Sequence, residues 1–208
     1  MRNRVVRLVT IFLLGLFSIA SARAEVSEVR ISRGFGVLYL PLMVMESEKL
    51  LERQAKAAGL GDVKATYLVL DGGNVINDAM LSGALDIASI GVAGFLTLWA
   101  KAKDNPAIEI RGLSGMSSSS LYLMTRNPAV KTLKDFTDKD RIAVPGIKTS
   151  LPAVILHMAV AKEFGDANYA KLDPITVGLA HPDALAVLLS GKGEINSHMA
   201  SPPFSYIE

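Results

Sequence analysis

The residues best suited to hold a small molecule lie in short loops where apolar runs end. Tyr39 follows Gly34-Phe35-Gly36, Asp71-Gly72-Gly73 closes an apolar strand run, and Ser89-Ile90-Gly91 closes another. Further along stand Ser117 in a serine run, Lys148-Thr149-Ser150, His181, and Ser197-His198. Several of these precede helical runs, whose free N–H groups and positive dipole ends favour anions, and small residues there let backbone approach a ligand. The candidate ligand-binding set is therefore Gly36, Tyr39, Gly72, Gly73, Ser89, Gly91, Ser117, Thr149, Ser150, His181, Ser197 and His198. Each could equally close an ordinary strand-to-helix turn.

Other chemistry has less to stand on. His157 sits in an apolar helical run and reads as a packing residue, as does Trp99. His181 precedes Pro182 and reads either as a turn residue or as a cleft donor, while His198 directly follows a strand and reads as lining a cleft. The three histidines lack metal-ligand spacing, so no metal site is expected. With no cysteine in 208 residues there is no thiolate ligand, disulfide or cysteine nucleophile. Asp71-Gly72-Gly73 is followed by no Gly-Lys-Ser/Thr, so it is no phosphate loop, and no cofactor is expected. No nucleophile, base and orienting group form a recognisable set, so the chain does not read as an enzyme and no catalytic residue is assigned.

The elements that position these loops repeat. Leu81-Ser82-Gly83-Ala84-Leu85-Asp86-Ile87-Ala88-Ser89 and Leu189-Ser190-Gly191-Lys192-Gly193-Glu194-Ile195-Asn196-Ser197 both fit Leu-Ser-Gly-x-x-acid-Ile-x-Ser, offset by 108 residues. Each reads as a helix end, a glycine stop and a short buried strand ending in a hydroxyl, which places Ser89 and Ser197 at equivalent strand ends. Leu-Ser-Gly is also a common helix ending, and two unrelated ones would look the same.

Strand and helix alternate on either side of the repeat. The patterning predicts strands over Val26–Ser32, Val63–Leu70, Asp86–Ser89 and Ile108–Leu113, and a helix from Leu42 to Ala58. It next predicts a strand over Leu121–Thr125, a short helix over Lys131–Phe136 and a strand over Arg141–Pro145. A helix over Leu151–Phe164 and a strand over Ile175–Leu179 complete it. The mixed-charge run Lys134–Arg141 reads as a solvated surface. Such alternation argues α/β lobes, each a mainly parallel sheet flanked by helices, with ligands beyond the carboxyl ends of the strands. Ser114–Ser120 reads as the crossing between them. The organisation expected is residues 25–113 as lobe one, 114–120 as crossing and 121–208 as lobe two.

The first 24 residues read as a cleavable leader: Arg2, Arg4 and Arg7, an apolar run Leu8–Ala20, then Ala22-Arg23-Ala24. The chain carries 22 basic and 20 acidic residues, and the leader holds four of the bases. The mature part then has 18 bases against 20 acids, which removes the electrostatic case for nucleic acid. A periplasmic, monomeric protein is expected.

The leader, the Gly34–Pro41 loop with Tyr39-Leu40-Pro41, the two Leu-Ser-Gly units and Val130–Val144 together resemble the periplasmic substrate-binding proteins of nitrate/sulfonate/taurine-type ABC importers. That resemblance implies the two-lobed periplasmic binding protein type 2 fold, closing on a small molecule and delivering it to an inner-membrane ABC permease. Few bases lie near the strand ends (Arg33, Arg111 and Lys148), and an anionic sulfonate-, nitrate- or carboxylate-like ligand is the expectation. The family's pattern runs past Glu208, so the second lobe is expected to be incomplete. A ligand-sensing domain and an enzyme like the thiamine-pyrimidine synthases are the alternatives of similar fold; the latter relies on cysteines, which this chain lacks.

Overall fold

The computed structural model describes residues 26–105 and 108–208; the leader expected over residues 1–24 lies outside them. The first lobe opens with strand β1 (Glu28–Arg33), in which Ile31 and Ser32 are buried. It pairs in parallel with β2 (Lys64–Val69), from Glu28 opposite Lys64 to Arg33 opposite Val69. Between them come a 3-10 turn (Val37–Tyr39) and helices α1 (Leu40–Ser47) and α2 (Leu50–Ala57). After β2 follow α3 (Gly73–Leu81) and α4 (Val92–Ala102).

The second lobe is a four-stranded sheet in the order β3 (Tyr122–Thr125), β6 (Ser197–Ala200), β4 (Ile142–Val144), β5 (Thr176–Gly178). Only β3 runs antiparallel to its neighbour. All three residues of β4 are buried because helices cover both faces, the pattern of a parallel strand with no wet side. Alternation assigns them: Ile142 and Val144 face α5 (Leu151–Phe164) through Leu156, Val160 and Ala153. Ala143 faces α6 (His181–Ser190) through Ala184. A short helix α7 (Phe204–Ile207) follows β6 after a cis Pro202-Pro203 bond.

Helix α5 keeps the predicted bounds for stated reasons. Ser150 Oγ accepts the Ala153 N–H at 3.3 Å, Pro152 occupies the first turn, and Gly165 at φ 88° stops it.

Five expectations are corrected. The helix expected over Leu42–Ala58 is two helices, because Lys49 adopts a left-handed φ of 49° between them. The strand expected over Asp86–Ser89 is one bridge, Ile87 beside Ile31. Ile108–Leu113 forms no strand, having no partner to pair with among the described residues. Lys131–Phe136 holds only a 3-10 turn (Leu133–Asp135), closed by a capping box between Thr132 and Asp135. Trp99 is 48% exposed, in line with exposed Val92 and Leu96 along one side of α4.

The repeat is real, but its register differs from the aligned letters. Gly83 (φ 73°) and Gly191 (φ 67°) end equivalent helices. Beyond them, the Asp86 and Ile87 N–H groups share the Arg30 carbonyl, while those of Asn196 and Ser197 share the Arg141 carbonyl. The side chains agree: Arg30 N–H donates to Asp86 Oδ2 at 2.7 Å, and Arg141 N–H to Asn196 Oδ1 at 3.0 Å. Asp86 therefore corresponds to Asn196, and Leu85 to Ile195, each of the latter pair 3% exposed. The second copy carries two extra residues after its glycine, absorbed at Gly193 (φ 104°). An insertion of two preserves which face each side chain takes, so the shift leaves no trace in the hydrophobic pattern.

Candidate functional site

The two lobes enclose a cleft of about 1380 Å³. The starts of four helices border it: Gly73 of α3, Gly91 before α4, Ser150 before α5, and His181 of α6. Phe35, Tyr39, Leu42 and Met45 form an apolar wall from the β1–α1 region, with Ile76, Phe95 and Leu98 behind. The chain from Glu109 to Ser119 completes the lining, with Gly112 beside Phe95.

Several of the cleft's polar groups are held in place. Tyr39 packs its ring so closely over Gly34 that a Cβ there would lie 2.7 Å from it. Burial, together with the negative field of Asp71, pushes the Tyr39 hydroxyl up to about 12, so it stays protonated. Asp71 is itself raised above the ordinary carboxylate value by burial, opposed by the backbone N–H groups of His181 and Gly72 and by His198. The His181 N–H reaches Asp71 Oδ2 at 3.3 Å, a link between the lobes. Ser89 N–H donates to the buried Ser32 Oγ at 3.0 Å, and its own hydroxyl faces Met116 Sδ at 3.7 Å.

Of the predicted residues, Tyr39, Gly72, Gly73, Ser89, Gly91, Ser117, Thr149, Ser150 and His181 line this cleft. The glycines have a second task. A Cβ would stand 3.0 Å from the Pro145 carbonyl oxygen at Gly72, 2.6 Å from that of Thr149 at Gly73, and 2.7 Å from the Leu151 side chain at Gly91. Lobe one thus meets the β4–α5 loop of lobe two across glycines, with Thr149 Oγ1 near Asn74 Oδ1 at 3.4 Å.

Gly36, Ser197 and His198 do not line the cleft. Gly36 sits under the Pro202 carbonyl, which also accepts the Val37 N–H at 3.2 Å. Ser197, fully buried at the start of β6 rather than at a strand end, donates to Thr125 Oγ1 at 2.9 Å. The two-residue register shift puts it there. His198 is fully buried behind His181, its Nε2 2.8 Å from His181 Nδ1 and its Nδ1 2.6 Å from Glu208 Oε1. The His181 ring also stacks on Phe204, 5.4 Å between centroids. Burial, then the neighbouring His198, pushes the His181 imidazole down to about 3, leaving it neutral at physiological pH.

His157 anchors the turn at Asp173, Nε2 to Oδ1 at 2.5 Å, and meets Tyr169 edge-on. Asp140, expected on a solvated surface, is 2% exposed and accepts from Thr137, Asn127 and Asn196. Met116 falls within the predicted Ser114–Ser118 stretch, whereas the cleft residue Ser201 carries no sequence signal. The bases near the strand ends are all paired: Arg33 with Glu46, Arg111 with Glu109, Lys148 with Asp173. No group of three or more potential metal ligands occurs among the described residues.

No protein-family model matches the chain, and no curated protein matches it. Among solved structures, it is similar to the periplasmic aliphatic sulphonate binding protein SsuA from Escherichia coli, at 18% identity and a TM-score of 0.50. The match covers 87% of this chain and 56% of that one, so the chain spans little more than half of that protein's length. A substrate binding domain assigned to a molybdenum ABC transporter of Clostridium difficile matches at 17% identity over 83% of this chain and 70% of that one. Its TM-score of 0.35 is too low to support an argument. The first likeness gives the fold: mixed α/β with parallel sheets flanked by helices, as in the type 2 periplasmic binding proteins.

Proposed function

We propose that this chain is the solute-binding component of an importer, capturing a small molecule between its lobes and presenting it to a membrane permease. The observation that carries the reading is the cleft itself. Helix starts from both lobes converge on it, its walls are largely apolar, and hydrogen bonds fix Asp71 and the Ser89 loop within it. That is the character of a ligand pocket, though a larger one than the roughly 300–1,000 Å³ of most. A molecule touching both lobes binds the closed arrangement better than the open one, and that difference alone drives closure.

The shared fold supports binding over catalysis, and the buried imidazole pair supports it too. His198 has no access to the cleft, and His181 is held neutral against it, so neither is poised to exchange protons with a bound molecule. A periplasmic site of action rests on the leader pattern ahead of Glu25. The small molecule is expected to co-purify with protein taken from the periplasm. Denaturing the protein, identifying what is released by mass spectrometry and adding it back to refolded protein should raise the melting temperature. Loss of uptake on gene deletion then tests the permease. Protein that releases nothing and is stabilised by no periplasmic small-molecule extract would end this reading.

A further inference from the structure

The charges that face the cleft are unevenly matched. Asp71, Asp86, Glu109 and Arg111 line it, and no lysine does. Asp86 is taken by the Arg30 guanidinium at 2.7 and 2.9 Å, and Glu109 and Arg111 hold each other at 2.6 Å. Arg33 and Lys148, the nearby bases that sequence nominates for an anion, are spent on Glu46 and Asp173. Asp71 has no ion pair among the described residues, and the cleft offers it none.

We infer that the cleft takes a small molecule with an apolar or aromatic body and a protonated nitrogen, the nitrogen seated on Asp71; this rests on the cleft being a binding site. The carboxylate accepts two backbone N–H groups, those of His181 and Gly72, and a carboxylate has about four acceptor positions, so it keeps capacity for a ligand donor. Tyr39, Phe35 and Phe95 line the same cleft, and aromatic faces attract organic cations while repelling anions. An anion entering here would meet an unpaired carboxylate and no free cationic side chain, with the helix starts alone to favour it. The position is also shared between lobes, since Asp71 ends the β2 loop of lobe one and its partner N–H begins α6 of lobe two. A cation bound to Asp71 therefore sits at the join that closure must form. Burial holds Asp71 above its ordinary titration range, a cost that a bound ammonium offsets.

The test uses three near-isosteric probes, benzylammonium, benzyl alcohol and benzoate, titrated calorimetrically at pH 7.5. The backbone amides of Gly72, Gly73 and Gly91, followed by NMR, report whether a probe enters the cleft. Benzylammonium should bind about tenfold tighter than the alcohol, as a charge-assisted hydrogen bond would give, with benzoate weakest. Asp71→Asn should lose that advantage while binding the alcohol as wild type does, which also shows that the variant is folded; Asp71→Glu should restore much of it. Benzoate binding as tightly as benzylammonium, or Asp71→Asn keeping the preference, would overturn the inference and leave the cleft reading standing. If the alcohol too fails to move the three glycine amides, the cleft reading falls and this inference with it.

Discussion

His181 and His198 face each other across a 2.8 Å hydrogen bond between Nδ1 of the first and Nε2 of the second, with Glu208 2.6 Å from the far nitrogen. The row ties the start of α6 to β6 and to the segment after it. It also sets a pH dependence. Below an unfolded value near 6.5 the unfolded chain takes up a proton that the folded His181, held at about 3, refuses. The stabilisation is thus fully present above pH 6.5 and is lost as pH falls toward 3. We predict that stability measured by urea unfolding drops by about 2 kcal/mol between pH 7.5 and 5 on account of this group. Asp71, raised in the fold, contributes the opposite slope at the acid end. The difference between wild type and His181→Gln isolates the imidazole: the variant should show the shallower fall, and parallel curves would refute the assignment.

Asp140 bonds four donors: Thr137 N–H and Oγ1, Asn127 Nδ2 and Asn196 Nδ2. Asp140→Asn turns an amide toward at least one of them and leaves a buried donor unmatched. The expected cost is about 2–4 kcal/mol, read as a lower melting temperature with no change in ligand affinity.

Gly73 lies closest to the other lobe, and Gly73→Ala would place a methyl 2.6 Å from the Thr149 carbonyl oxygen. Backbone cannot retreat as a side-chain tip can, so the lobes must part. We expect a larger radius of gyration in small-angle scattering and weaker ligand binding. Gly59→Ala, where a Cβ meets nothing but φ is +75°, is the control: a modest stability loss and no change of shape.

In the second lobe, Leu156 is 2% exposed against Ile142 and Val160. Leu156→Ala should cost about 2–5 kcal/mol in chemical denaturation, lobe-two signals moving first. Ser197→Ala, by contrast, removes a buried hydroxyl bond to Thr125 and should cost about 1 kcal/mol without touching affinity.

How much of this was legible depends on whether a residue's fate was decided locally. Helix α5 could be read to the residue, because a serine cap, an early proline and a terminal glycine act within their own turn. The loops after β2 and before α4 could be read as cleft-facing, because strand ends and helix starts fix where such loops lie. Lys49 carried no glycine or proline to announce a left-handed turn. Ile108–Leu113 alternates like a strand, but alternation selects faces and cannot supply a pairing partner. Ser197 was misplaced because the two extra residues after Gly191 left the period intact. That Gly72 and Gly73 hold the lobes together, besides lining the cleft, depends on Pro145 and Thr149, distant in sequence.

A small molecule that binds in the cleft should draw the two lobes together. Because the chain has no cysteine, Lys56→Cys in α2 and Lys162→Cys in α5 place one spin label on each lobe without interference. Pulsed electron–electron resonance, before and after adding the molecule released from purified protein, measures the distance between them. We expect a shorter and narrower distance distribution with ligand, and loss of that change in Gly73→Ala. A distribution that stays the same in protein shown by calorimetry to be saturated would contradict it.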